Sequence, residues 1–194
     1  MKKIIFATGN QHKMEEIKSI MADLPYEILS MKEAGISIDI EENGTTFEEN
    51  SLIKARAIMN IAKEIVLADD SGLEVDALNK EPGIYSSRYL GEDTPYEVKN
   101  QEIIKRLEGV EEEKRTARFV CAVAAVFPDG REVVKRGTVE GIIGYEAKGE
   151  NGFGYDPIFI PENSEKTLAQ FSSEEKNQIS HRKRALEQMK EVLS

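Results

Sequence analysis

An apolar run, residues 65–68, ends in two adjacent carboxylates, Asp69 and Asp70, followed by Ser71 and Gly72. A short apolar run bounded by polar turn-formers reads as a buried strand. Here it would deliver its acids to the edge of a sheet, where open α/β folds place their ligand sites. Two carboxylates side by side repel each other and cost desolvation if they are buried unpaired. A divalent cation relieves both penalties, and hard cations take oxygen ligands. The segment therefore suggests a metal-assisted site in an α/β fold.

The flanking sequence agrees with that fold class. Residues 4–7 form an apolar strand pattern that Thr8, Gly9 and Asn10 interrupt, and Met14, Ile17, Ile20 or Met21, and Leu24 then recur at helical spacing. Further strands are expected at residues 26–31 and 36–40. Thr46 and Glu49 have capping-box spacing at the start of a helix reaching about residue 64. A short strand at 73–78 and a loop at 81–93 follow. A second capping box, Thr94 to Glu97 with Pro95 at the first helical position, opens a helix to about residue 107. The clearest β signal is a hairpin: strand 116–127, a Pro128-Asp129-Gly130 turn, and a returning strand 131–139 that 141–145 can continue. A glycine-rich loop at 149–160 and a closing helix with Ile179, Leu186, Met189 and Leu193 on one side complete the chain. No repeat or low-complexity linker divides it. The expectation is one α/β domain over 1–194 with a mixed sheet flanked by helices, in two lobes with a cleft between them.

The composition narrows the function. A chain of 194 residues can bury roughly 70% of its unfolded surface and needs no staple to fold. A net charge of −10 argues against broad binding to nucleic acid or anionic membrane, but not against a small anion held by a metal and a few local cations. The single cysteine, Cys121, permits no disulfide framework, which fits a reducing cytoplasm. The apolar run after Lys2 and Lys3 stops at Ala7, too short for a signal peptide, and no run approaches the length of a membrane span.

Several segments carry chemistry. Thr8, Gly9, Asn10, Gln11, His12 and Lys13 lie between a strand and a helix N-terminus, where backbone N–H groups and the helix dipole favour an anion. Lys13 stands in a first turn where the dipole alone disfavours a cation, and a bound phosphate would explain it. The same segment also reads as a capped turn with an exposed lysine. The Walker A spacing is absent. Glu41-Glu42 ends a strand pattern and could meet Asp69-Asp70 as a magnesium nest, or simply be a solvated turn. Asn50 and Lys54 lie four apart and share one helix face, which by default is exposed. Gly152-Phe153-Gly154-Tyr155-Asp156 sets aromatics and an acid among glycines, suited to close approach by a ligand and to stacking of a base. Lys176, His181 and Arg182 add cations near the last helix. Two scattered histidines and one cysteine make a zinc site a poor reading.

Taken together, TGNQHK at 8–13, EENGTTFEENSLIKA at 41–55, ADDSGLEVDAL at 68–78, PGIYSSRY at 82–89, GFGYDPIF at 152–159 and SHRKRAL at 180–186 make the chain resemble the inosine triphosphate pyrophosphatase family, also called XTP/dITP pyrophosphatases. The resemblance spans the chain in family order. It departs at Asn43 and Ser51, where Thr or Asp and Ala are commoner. It implies an elongated, two-lobed α/β fold and a homodimer. It also implies Mg²⁺-dependent hydrolysis of ITP, dITP and XTP to the monophosphate and pyrophosphate.

By the family pattern, residues 8–13 hold the triphosphate, and Glu41 and Asp70 hold Mg²⁺. Asp70 also serves as the base, and Asp69 is a further metal ligand or a support for one. Lys54 neutralises charge as the bond to pyrophosphate breaks, and Ser71 binds substrate. Phe153, Gly154, Tyr155, Asp156, Lys176, His181 and Arg182 read the base. The competing readings are a pyrophosphatase for other modified nucleotides, a phosphatase releasing inorganic phosphate, and a nucleotide-binding regulator without turnover.

Overall fold

In the computed structural model, which describes residues 1–194, the apolar periodicities become a mixed sheet with helices on its faces. The strands are β1 (Lys2–Phe6), β2 (Tyr26–Ser30), β3 (Ile65–Val75), β4 (Glu81–Pro82), β5 (Thr116–Val126), β6 (Glu132–Ile143) and β7 (Phe159–Pro161). The helices are α1 (Gln11–Ile20), α2 (Phe47–Ala62), α3 (Tyr96–Arg106), α4 (Ser173–Ile179) and α5 (His181–Leu193). The strand order is β2-β1-β3-β5-β6-β7, with β4 also paired to β3. β1 runs parallel to both β2 and β3, as helical crossovers demand, whereas β7 is antiparallel to β6.

The chain divides into two compact units. The first comprises residues 1–70, 121–137 and 182–194, the second residues 71–120 and 138–181. In the first unit the two-residue period of a strand separates two apolar clusters. Ile4, Phe6, Leu67, Cys121 and Val123 pack with Met14 and Ile17 of α1 and with Ala185, Leu186 and Met189 of α5. Ile5, Ala7, Val66, Ala68 and Ala124 pack with Ala55 and Ile58 of α2. Successive residues of β3 therefore face α1/α5 and α2 in turn, and this alternation decides where its acids point. The second unit has its own core, in which Leu73, Val75, Phe119, Val139, Ile143, Tyr155, Ile158 and Phe159 pack with Ile103 and Leu107, at and just after the end of α3.

Four local expectations are corrected. The strand expected to end at the acids does not end there: β3 continues unbroken to Val75, so Asp69 and Asp70 lie inside it. Residues 36–40 form no strand. Ile36 and Ile40 pack against the α2-side cluster without joining a ladder, so their alternation reflects burial, not pairing. The capping box at Thr94 does not form, because its hydroxyl donates to the Leu90 carbonyl instead (2.6 Å) and α3 begins at Tyr96 with no side-chain cap. The closing helix is two helices broken at Ser180. Ile179 belongs to the core of the second unit, while Leu186, Met189 and Leu193 belong to the first.

Candidate active site

On a strand, neighbours point to opposite faces. Leu67 faces α1 and α5, and so does Asp69, two residues on. Its carboxylate is fully buried and accepts from Lys13 Nζ at 3.5 and 3.3 Å and from Arg182 Nε at 3.4 Å. Arg182 Nη1 in turn donates to Glu16 Oε2 at 2.8 Å. Burial alone would raise the Asp69 carboxyl, but the charges of Lys13, Arg182 and Lys54 outweigh it and hold the group well below the usual carboxylate range. Asp69 is thus a fixed anion that orients two cations contributed from opposite ends of the chain.

Asp70 faces the other way, toward α2. Asn50, buried near the start of that helix, donates from its amide to the Asp70 carboxylate, and its Oδ1 accepts from the Gly44 N–H at 2.8 Å. One turn on, Lys54 Nζ pairs with Glu42 Oε1 at 2.8 Å and donates to the Asp69 backbone carbonyl. Asp70 Oδ2 is buried and meets no hydrogen-bond donor. Burial pushes the Asp70 carboxyl up to about 6, the Glu42 and Asp69 charges add to the rise, and Lys54 and the Asn50 hydrogen bond oppose it. A carboxyl poised there can gain or lose a proton near neutrality, as a general base must.

The helix face carrying Asn50 and Lys54 is therefore buried, not exposed. Glu42 is the glutamate beside Lys54 and Asp70, while Glu41 is exposed. Nothing in the Glu41-Glu42 dipeptide tells the two apart, because the segment has no periodicity.

The segment 8–13 joins β1 to α1. Asn10 is the N-cap: its Oδ1 accepts from the Lys13 N–H, and its own N–H donates to Thr8 Oγ1, both at 3.1 Å. The turn is capped, but Lys13 is turned in onto Asp69 and is not the exposed lysine of a simple capped turn. Gly9, Gln11 and His12 are exposed.

The remaining expected residues lie in the second unit. Phe153 is 60% exposed, a costly position for an aromatic ring. Lys176 Nζ lies 4.5 Å from its ring centroid and 2.5 Å from Asp156 Oδ2, which also accepts from the Phe153 N–H at 3.0 Å. A Cβ on Gly152 would fall 2.2 Å from Asp156 Oδ2, and φ there is +69°, so glycine is required for this closure. Asp156, buried, shapes the loop. The Tyr155 ring lies in the core of the second unit, its hydroxyl donating to the Ser86 carbonyl at 2.5 Å. Only its backbone remains for recognition. His181 stacks on Phe119, and Ser71 is half-buried in β3.

The chain matches the model of the Ham1 family over residues 4–192. It is 48% identical to the dITP/XTP pyrophosphatase of Clostridium perfringens, covering 100% of this chain and 98% of the relative. It is 50% identical to the dITP/XTP pyrophosphatase of Thermoanaerobacter pseudethanolicus, covering 98% and 96%. Among solved structures, the Staphylococcus aureus Ham1 protein superposes with a TM-score of 0.91 at 44% identity over 99% of this chain and 98% of that one. The Coxiella burnetii HAM1 protein superposes with a TM-score of 0.92 at 39% identity over 100% and 98%.

Proposed function

The chain belongs to the Ham1 family, and on that premise we propose that it hydrolyses deaminated purine nucleoside triphosphates, dITP, ITP and XTP, to the monophosphate and pyrophosphate. The observation that carries the chemistry is Asp70, whose buried, unpartnered oxygen lies on a carboxyl raised to about 6 beside Lys54. In the step assigned to it, water forms a bond to the α-phosphorus. The bond from that phosphorus to the bridging oxygen breaks, its electron pair leaves with pyrophosphate, and the proton of the water passes to Asp70. Lys54 and Lys13 balance charge on the phosphates, with Lys13 held in place by Asp69.

The donor set fits Mg²⁺. The orphaned Asp70 Oδ2 is a hard oxygen without a hydrogen-bond donor, and Glu42 lies close enough to raise its pKa. Asp70 would hold the cation with the exposed Glu41, whereas Asp69 is already committed to Lys13 and Arg182, and Glu42 to Lys54. Bound there, the metal would supply Lewis-acid stabilisation of phosphate charge.

Base recognition is assigned to the exposed Phe153 ring as a stacking surface, with donors from Lys176, His181, Arg182 or the backbone of 153–156. A 6-oxo group accepts hydrogen bonds where adenine's 6-amino group donates them, so fixed donors can give discrimination of ~10⁴. Homodimer formation and a cytoplasmic location complete the proposal. The first is tested by the mass in sedimentation equilibrium and the second by cell fractionation.

The test of function is hydrolysis of dITP, XTP, GTP and ATP, each with Mg²⁺ and with chelator, scoring pyrophosphate and inorganic phosphate separately. Pyrophosphate from dITP and XTP alone, lost with chelator, is expected. Inorganic phosphate instead, or equal turnover of ATP, would overturn the reading. Tight dITP binding without turnover would point to a regulator.

A further inference from the structure

Beyond the residues already assigned, the second unit contains an asparagine whose position is costly. Asn100, on α3, is 3% exposed. Its Nδ2 donates to the Gly154 carbonyl at 3.1 Å, and its Oδ1 is buried with no hydrogen-bond donor. A buried carboxamide that satisfies only one of its two polar atoms is a poor core residue, and an apolar side chain of similar volume would cost less. The one bond it makes reaches the centre of the loop assigned to the base.

The other hydrogen bonds at 153–156 close the loop on itself or act through side chains. The Phe153 N–H donates to Asp156 Oδ2, the Asp156 N–H donates to the Phe153 carbonyl at 3.3 Å, and the Tyr155 hydroxyl reaches the Ser86 carbonyl. Gly154, at φ +64°, sits between the exposed ring of Phe153 and the buried ring of Tyr155. A Cβ placed on it would meet only the Tyr96 ring, at 3.7 Å, so sterics do not fix this backbone. Glycine has the widest conformational freedom of any residue. The Asn100 bond is what pins the Gly154–Tyr155 peptide to a rigid helix. Because that peptide is planar and trans, anchoring the Gly154 carbonyl on α3 also directs the Tyr155 N–H to the opposite side.

The geometry points to Asn100 as a positioning residue for base selection: it fixes the Gly154 carbonyl, and with it the Phe153 ring and the Tyr155 N–H. The proposal rests on the assignment of this loop to the base. A fixed N–H donor serves a 6-oxo purine and leaves a 6-amino group unpaired, so its value lies in being held still.

The experiment compares Asn100→Ala and Asn100→Leu with wild type on dITP and dATP. Loss of one neutral hydrogen bond predicts a roughly tenfold rise in KM for dITP, with kcat within about twofold. The ratio of kcat/KM for dITP over dATP should fall by about the same factor. Ile17→Ala is the control: Ile17 is fully buried in the core of the first unit, so its truncation should destabilise the fold without moving the ratio. If truncation prevents folding, Asn100→Ser supplies the same comparison with the same expected direction. A ratio that stays at the wild-type value in folded Asn100 variants overturns the proposal. Failure of wild type to release pyrophosphate from dITP would instead refute the function itself.

Discussion

Asp70→Asn should stabilise the metal-free protein while removing its activity, and the gain should depend on pH. The Asp70 carboxyl titrates at about 6 in the folded chain against 3.8 when unfolded, chiefly because it is buried. Between those values the folded state keeps a proton that the unfolded state has released, so stability falls as pH rises through the window. A separation of about 2 pH units at ~1.4 kcal/mol each sets the full penalty near 3 kcal/mol above pH 6, and it shrinks toward zero near pH 4. Asparagine has no charge to bury and escapes the penalty. Urea unfolding with chelator at pH 8 and pH 4 measures this, and the variant should exceed wild type by up to about 3 kcal/mol at pH 8, with little difference at pH 4. Added Mg²⁺ should close the gap at pH 8 by binding the wild-type carboxylate and sparing the variant. An equal difference at both pH values would refute the burial argument, and no response to Mg²⁺ would refute Asp70 as a ligand.

Asp69→Asn should cost about 3–5 kcal/mol in urea unfolding at neutral pH, because Arg182 is left buried with only Glu16 to balance it. The Asp69 contribution is present above the unfolded carboxyl pKa and is lost as pH falls toward the depressed folded one, so the gap between variant and wild type should narrow in acid. Gly152→Ala places a Cβ against Asp156 and forces a strained φ. About 1–3 kcal/mol of stability and a higher KM for dITP are expected from unfolding and steady-state kinetics. Ile17→Ala empties a fully buried site between α1 and the sheet, and should lower stability by about 2–5 kcal/mol with KM unchanged.

Periodicity made the architecture readable where neighbours along the chain decide it. β1, the turn at 8–10 and α1 follow from an apolar run, a glycine and helical spacing, and the β5–β6 hairpin from two long β-rich runs around Pro128-Asp129-Gly130. It misled at Asp69-Asp70, where two charges in succession look like the end of a strand. Lys13 and Arg182, 56 and 113 residues away, neutralise Asp69, while Asn50 and Lys54 meet Asp70 and its neighbouring backbone, so the strand runs on. The adjacency that suggested a shared cation in fact separates the two acids onto opposite faces.

Which glutamate of the Glu41-Glu42 pair meets Lys54, and what Asn100 does, are not legible in the sequence for a related reason. Their roles come from partners reached through the fold, Lys54 in one case and the Gly154 carbonyl in the other. A tyrosine among glycines looks like part of a ligand loop, yet the Tyr155 ring fills the second core. The pattern of residues shows which segments carry charge and aromatic surface, and packing decides which of those groups are held and which remain available.

The mechanism proposed for this chain is attack of water at the α-phosphorus of a 6-oxo purine nucleotide. It is tested most directly by turnover of equimolar dITP and dATP with Mg²⁺ in ¹⁸O-labelled water. Label is expected in dIMP, with unlabelled pyrophosphate and dATP left intact. Label in pyrophosphate, release of inorganic phosphate, or equal consumption of dATP would contradict it.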